Sequence, residues 1–551
     1  MDNSKRLWLM VLFICTIIQG ALYFSASAYF HLEDVYFHLA RIEGIASGLA
    51  AGNFPVWINS FLLDGYGVPE GIMYPDTLLY LPALLRMAGM PLSAVYNFYW
   101  LGITFLGMYA CYFAYSRWTG SATAGCVAAV LYNSCYFQLF CHGFSAGACA
   151  AMAVFPLAVF GLWSVLRGDA SLWYLAVIAL CVICQSHVIS VLLASVMALF
   201  MLARYGGALR EPDRRRAFLL LAVFGFLLNV WRLVPLLDFY PRMLFHINDA
   251  AHYFEGKLAT LNYMTFTLPE MLHNSFLWGW PLVSLTAFFF VYKLCRGEYS
   301  RSWHATLFLC GMISLGMWRG FPWQLLEGLP LLGWLLPKFQ FSMRFIHLAL
   351  VPLAYYLGRY TAELAGYLRY GRWWLAIGCV LVSFWSLYMN AAMQPEMRGG
   401  SGNKGSEYLF MENIPSIGIY NYEDYLYADV SFGNLRNRQG LPRGAGDIYT
   451  DAKVIQFARH DSRLSLSYSS DRETGAELPV FFYYGYRGEL DDGSPAELGE
   501  TPEHIMTVKL PAGEHTLKVW YQGPWYYDAS CMLSLCGFCL FILCLRREGG
   551  L

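Results

Sequence analysis

Apolar residues in this chain fall into long blocks separated by short polar interruptions. The blocks lie near 7–29, 95–116, 121–138, 145–166, 171–186, 188–204, 217–237, 277–294, 303–318, 345–362, 373–392 and 529–545. A helix needs about 20 apolar residues to cross a bilayer, and somewhat fewer inside a bundle. The pattern therefore predicts about twelve transmembrane helices. One further apolar stretch, "TLLYLPALLRMAGM" at 77–90, is short and contains Pro82 and Arg86. It is expected to lie along the outer interface rather than to span. The period changes between 394 and 528. There "RLSLSYS" (463–469), "LPVFFYYGY" (478–486), "IMTVKL" (505–510) and "HTLKVWYQG" (515–523) have strand composition, separated by "DDGSP" and "PAGE" turns. The expected organisation is a helical body over 1–393 with an outer connection at 30–94, a β-sandwich-like domain over 394–528, and a final helix with a short tail over 529–551.

Composition supports the membrane class. The chain of 551 residues is 57% hydrophobic and only 14% charged, whereas soluble domains carry about 25% charged residues. The charge is unevenly placed: residues 394–528 hold 20 acidic and 12 basic side chains, and the remainder holds 18 acidic and 25 basic. No basic tail or stripe points to nucleic acid.

With Lys5 and Arg6 in the cytoplasm, alternate loops carry Arg117; Arg167; Arg204, Arg210 and Arg214 to Arg216; Lys293, Arg296 and Arg301; Arg369 and Arg372; and Arg546 and Arg547. This follows the positive-inside rule. It assigns 30–94 and 394–528 to the outer face and 205–216 to the inside. "SASA" at 25–28 resembles a cleavage site, but the apolar stretch before it is longer than a usual signal core, so an uncleaved helix is expected. All 15 cysteines lie outside 394–528, so no disulfide framework is expected there. Cys181 and Cys184 read as small core residues of a helix.

The candidate chemistry begins at "HLEDVYFHLARIEG", 31–44. On a helix Asp34, His38 and Arg41 share one face, with Glu33 at its edge. An acid pair beside a His and an Arg at a membrane surface suits a cation, a phosphate or a hydroxyl to be deprotonated. A solvated helix with an acidic N-terminal cap fits the same spacing. The following connection, 52–85, is long and rich in aromatics, Gly and Pro, as functional loops are. It adds the acceptors Asp64, Glu70 and Asp76. No nucleotide-binding P-loop, no H-E-x-x-H and no dinucleotide-binding glycine pattern occurs in the sequence.

"EDVYFHLARI" with "GNFPVW", "GYGVPEGIMYPDTLLYLPALL", "SHVIS" (186–190) and "PKFQFSMRFI" (337–346) occur in that order. Together with "LPVFFYYGYRGELDDG", "VKLPAGEHTLKVWYQG" and a last helix, they resemble the GT-C superfamily of membrane glycosyltransferases, in particular its bacterial YfhO-like branch. The resemblance implies transfer of a sugar from a polyprenyl-phosphate donor to a cell-envelope acceptor on the outer face of the plasma membrane. It gives Asp34 or Glu33 the part of base or metal-holding carboxylate. No cofactor is required by it, though a divalent cation is compatible.

Substrate contacts are expected from His38, Arg41, Asp64, Asp76, His187, Lys338 and Arg344. Arg232, Arg242, Arg319, Lys338 and Arg344 are the outer-side cations that run against the positive-inside bias. For Arg344, snorkelling to membrane lipid headgroups fits equally well. Two other readings stand beside the transferase: a flippase or transporter of a lipid-linked glycan, and a non-catalytic envelope assembly factor.

Overall fold

A computed structural model describes residues 3–21, 33–141, 145–246, 265–273, 277–397, 425–430 and 448–547. The helices α1 (Asn3–Gly20), α2 (Glu33–Ala50), α3 (Glu70–Met73), α4 (Tyr80–Met87), α5 (Leu92–Thr119), α6 (Ala122–Asn133), α7 (Tyr136–Cys141), α8 (Ala146–Arg167), α9 (Trp173–Cys184), α10 (Val188–Tyr205), α11 (Pro212–Leu227) and α12 (Val230–Phe239) make up the first half. Helices Trp280–Cys295, Arg301–Met317, Ile346–Gly366, Gly371–Met397 and Trp525–Arg547 follow.

A helix thus occupies each of the twelve expected apolar blocks. Among the described residues, four are long and apolar enough to cross a membrane: Ala146–Arg167, Val188–Arg210, Gly371–Met389 and Trp525–Arg547. The pair α11–α12, bent by 58°, makes a fifth if it is one span. The rest are shorter or more polar than the block lengths suggested. The block at 121–138, for example, is cut at Asn133, whose side-chain amide bonds back to Ala129 O at 2.9 Å.

The centre of the body is α8, most of whose residues are buried. Its Ser145 cap accepts from Ala148 N at 3.3 Å. Small residues let the neighbours in: a Cβ on Gly161 would overlap the backbone of Ala176 in α9, and one on Gly358 would overlap the backbone of α6. Helix α4 covers most of the stretch expected at the interface. Its Leu81, Leu84 and Met87 face outward, Pro82 and Ala83 face inward, and Arg86 pairs with Glu43 at 2.8 Å.

The C-terminal domain is an antiparallel sandwich of two four-stranded sheets. Its strands are β1 (Tyr449–Thr450), β2 (Lys453–His460), β3 (Arg463–Ser470), β4 (Thr474–Phe481), β5 (Tyr486–Leu490), β6 (Leu498–Glu500), β7 (Ile505–Leu510) and β8 (Gly513–Tyr521). The sheet orders are β1-β4-β7-β6 and β2-β3-β8-β5. The expected strand at 478–486 splits at a turn, with β4 ending at Phe481 and β5 starting at Tyr486. The last helix starts at Trp525 rather than 529. Most of 394–447 lies outside the described residues.

The sandwich docks on the connection between α2 and α3. Phe481 N donates to Tyr66 O at 3.1 Å, Tyr483 Oη donates to Gly67 O at 3.0 Å, Arg459 donates to Gly65 O, and Asn53 donates to Asp461 at 2.9 Å.

Candidate functional site

Helix α2 starts at Glu33, so Glu33 and Asp34 form its first turn. Their side chains, and that of Asp64, lie outside the described residues. One turn on, the structure resolves what His38 and Arg41 do. Both are buried, at 2% and 1% exposure, so this face is not the solvated surface that spacing alone allowed.

Arg41 reaches across to the following connection. Its Nη2 donates to Tyr74 O at 3.2 Å and Pro75 O at 3.0 Å. Its Nε stands 3.5 Å from Glu70 Oε2, and its guanidinium lies 4.3 Å from the Tyr74 ring centroid. Glu70 in turn accepts from Asn59 Nδ2 at 2.8 Å, and the same amide group donates to Ala40 O at 3.3 Å. Burial pushes the Glu70 carboxyl up to about 7, with Arg41 and then Asn59 pulling it down.

A second buried pair lies beside the first. Arg232, near the start of α12, pairs with Asp76 and donates to Gly71 O. Its guanidinium lies 4.2 Å from the Trp231 ring and 5.7 Å from Trp57. The two arginines together hold the 70–77 segment, Arg41 through Glu70, Tyr74 O and Pro75 O, and Arg232 through Asp76 and Gly71 O. Arg41 and Asp76, expected as substrate contacts, are thus both engaged within the protein. A buried pair of this kind fixes geometry more than it stabilises.

His38 continues the arrangement. Its Nε2 accepts from Ala146 N at 3.2 Å, satisfying a free N–H at the start of α8. Burial, and secondarily the Arg41 charge, hold its pKa below the ordinary histidine range, so the neutral ring serves as acceptor. His187 does the same for α10: its Nδ1 accepts from Ser190 N at 3.3 Å and lies 2.9 Å from Ser190 Oγ. The Tyr74 ring stands between the two histidines, 6.4 Å from His38 and 6.2 Å from His187.

Arg344 and His347 are charge neighbours of His187. Arg344 Nη1 donates to Gln340 Oε1 at 2.8 Å and to Phe339 O at 3.1 Å. Close by in sequence, Ser342 Oγ and His347 Nδ1 are buried with no hydrogen-bond partner among the described residues. Buried polar atoms are normally satisfied, so these two have capacity for a further polar partner.

His38, Arg41, Asp76, His187 and Arg344 therefore belong to one neighbourhood, centred on Tyr74. Lys338 does not join it: it is exposed and makes no ion pair or hydrogen bond among the described residues. Arg242 pairs with Asp238 at 2.6 Å, and Arg319 faces Glu270 at 3.8 Å. Asn59, Tyr74, Ser342 and His347 were not singled out from sequence. The "YPD" turn was the nearest signal, since it carries both Tyr74 and Asp76.

Among the described residues no group of three or more His, Cys, Asp and Glu side chains is arranged to hold a metal ion. The acid pair that would be the donor set for a divalent cation is outside them. No family model matches the chain, and no curated protein matches it.

Proposed function

We infer that the protein is a membrane glycosyltransferase of GT-C type, moving a sugar from a polyprenyl-phosphate donor to an acceptor of the bacterial cell envelope. In this reading the body crosses the plasma membrane about twelve times, with α2, the 51–91 connection and the sandwich outside. Asp34, or Glu33, takes the proton from the acceptor hydroxyl. The donor phosphate sits near His187 and Arg344.

The observation that carries the reading is that Ser342 Oγ and His347 Nδ1, on either side of Arg344 in the sequence, are buried without hydrogen-bond partners among the described residues. A phosphate oxygen accepts from a hydroxyl, a ring N–H and a guanidinium at once. The rigid anchoring of α2 through His38, Arg41 and Glu70 suits a carboxylate that must hold its depth relative to such a phosphate.

A flippase draws support from one feature, the broken α11–α12 pair with Arg232 beside the break. Broken helices with ionisable residues line transport paths at the bilayer midplane. Arg232, however, is spent on Asp76 and Gly71 in the 51–91 connection, at the end of the bundle where α2 begins. That favours surface chemistry.

The test is transfer of labelled sugar from a polyprenyl-phosphate donor to envelope acceptor in membranes. Asp34→Asn together with Glu33→Gln is expected to lower the rate by about 10²- to 10⁴-fold, the usual loss with a general base, while leaving the protein folded. Transfer at the wild-type rate by that double variant would sink the proposal.

A further inference from the structure

A cavity lies far from the Arg41 neighbourhood, where the end of α5 and the start of α6 meet the turn between helices Ile346–Gly366 and Gly371–Met397. It measures about 880 Å³ and is lined by Arg359, Arg369 and Arg372, with Glu363 as its one acid. Glu363 is already engaged, accepting from Arg359 Nε at 2.7 Å. Arg369 stacks over the Tyr370 ring at 5.3 Å. Neither it nor Arg372 makes an ion pair among the described residues. The lining thus carries two uncompensated guanidinium groups.

Helix α6 and the Gly371–Met397 helix begin at the cavity wall, and α5 and the Ile346–Gly366 helix end there, so the four helix dipoles largely offset one another and the local charge is set by the guanidinium groups. Thr119, Ser121 and Thr123 line the same wall with hydroxyls. The aromatics are of another kind. Tyr370 and Trp373 line the cavity, their sequence neighbours Tyr367 and Trp374 lie beside them, and all four are more than half exposed. Trp and Tyr in that setting are the side chains that settle at the headgroup level of a bilayer. An open hollow whose exposed guanidinium groups lie next to exposed aromatic rings suits a ligand with an anionic head and an apolar body.

We propose that this cavity binds the phosphate headgroup of an anionic membrane phospholipid, held by Arg369 and Arg372, with the acyl chains running along the exposed aromatics of the Gly371–Met397 helix. The proposal rests on the membrane reading of the chain and is independent of sugar transfer. Guanidinium groups bind phosphate oxygens bidentately, and a volume of this size matches small-molecule sites of about 300–1,000 Å³. A single inorganic phosphate would leave most of it empty. Because Arg369 and Arg372 belong to a loop expected inside, the lipid comes from the inner leaflet.

The experiment uses the full chain, purified and delipidated in a neutral detergent. Thermal unfolding is followed as phosphatidylglycerol, phosphatidylcholine or inorganic phosphate is added, and lipid adducts are counted by native mass spectrometry. Phosphatidylglycerol is expected to raise the midpoint and give a retained adduct, with phosphatidylcholine and inorganic phosphate giving neither. Arg369→Gln with Arg372→Gln should weaken the phosphatidylglycerol effect at least about tenfold, a loss of about 1.4 kcal/mol or more, because both guanidinium contacts to the phosphate are removed. Arg296→Gln, in another basic loop and paired with Glu298, should leave it unchanged.

If the glutamine pair does not fold, Thr123→Glu brings a like charge into the cavity and must weaken binding in the same way. Equal response to phosphatidylcholine would overturn the proposal, as would an equal response to inorganic phosphate. So would a phosphatidylglycerol effect untouched by both sets of variants.

Discussion

Replacing Glu70 by Gln tests whether a buried carboxyl is a stabilising partner of Arg41 or an electrostatic burden the fold tolerates. Glu70 is 1% exposed, and its pKa in the folded protein is about 7, against about 4.3 for an unhindered glutamate. The folded state therefore binds the proton more tightly than the unfolded chain. Below pH ~4.3 both states are protonated and Glu70 costs nothing. Between ~4.3 and 7 the unfolded chain gives up its proton first, and stability falls as pH rises. Above 7 both are ionised and the whole penalty is present, about 4 kcal/mol at 1.36 kcal/mol per pH unit.

Gln keeps the side-chain shape and the Asn59 contact but cannot ionise. The unfolding midpoint of the detergent-solubilised protein, followed by intrinsic fluorescence from pH 4.5 to 8, should fall for the wild type by about 6–12 °C, since roughly 3 kcal/mol is lost across this range and a cooperative unit of 150–250 residues shifts by about 2–4 °C per kcal/mol. For Glu70→Gln that component should vanish, leaving the variant the more stable at pH 8. If the two proteins gave parallel curves, or if the variant lost most at pH 8, Arg41 would be holding Glu70 ionised and the reasoning would fail.

Gly44 faces the Asn59 side chain so closely that a Cβ would overlap it. Gly44→Ala should displace the amide from Glu70 and cost about 1–3 kcal/mol, read as a lower unfolding midpoint. Ser534 bridges the break between α11 and α12, accepting from Trp231 N at 3.1 Å and donating to Leu227 O at 2.8 Å. Ser534→Ala leaves both groups unmet and should speed hydrogen exchange around 227–231 by about tenfold for each 1.4 kcal/mol lost. In the sandwich, Asp491 holds the His515 pKa above the ordinary histidine range through a 3.0 Å contact. That pair stabilises fully below the unfolded histidine value and is lost as pH rises through the folded one. A proton NMR titration should show the raised value in the wild type and an ordinary one in Asp491→Asn.

The helices were legible because apolar runs of this length have few other solutions. β3, β7 and β8 were legible because alternation survives in them. β2 was not, since half of "KVIQFARH" is exposed, the other half is only partly buried, and no buried face is there to read. β5 and β6 were not, because "YRGEL" and "LGE" are short, polar and interrupted by glycine.

At the site, the spacing of His38 and Arg41 correctly put them on one face. It could not say that the face is buried, because their partners are distant in sequence. Glu70 was visible only as a loop acceptor, and Arg232 only as a cation on an unexpected side. Pairing of Arg41 with Glu70 and of Arg232 with Asp76 is a product of tertiary packing, which local patterns do not encode.

The stitch made by Ser534 has a consequence for the order in which this chain matures. The free backbone groups at the α11–α12 break emerge from the ribosome some three hundred residues before the side chain that closes them. Asp238 likewise waits for the Tyr527 hydroxyl, 3.1 Å away in the finished protein. Until the last helix packs against it, the α11–α12 break lacks the Ser534 bridge, and α12, which carries the Arg232 clamp on Asp76, lacks that support. Nascent chains stalled before Trp525 should therefore carry every residue of the Tyr74 neighbourhood and still exchange backbone hydrogens rapidly around 227–231.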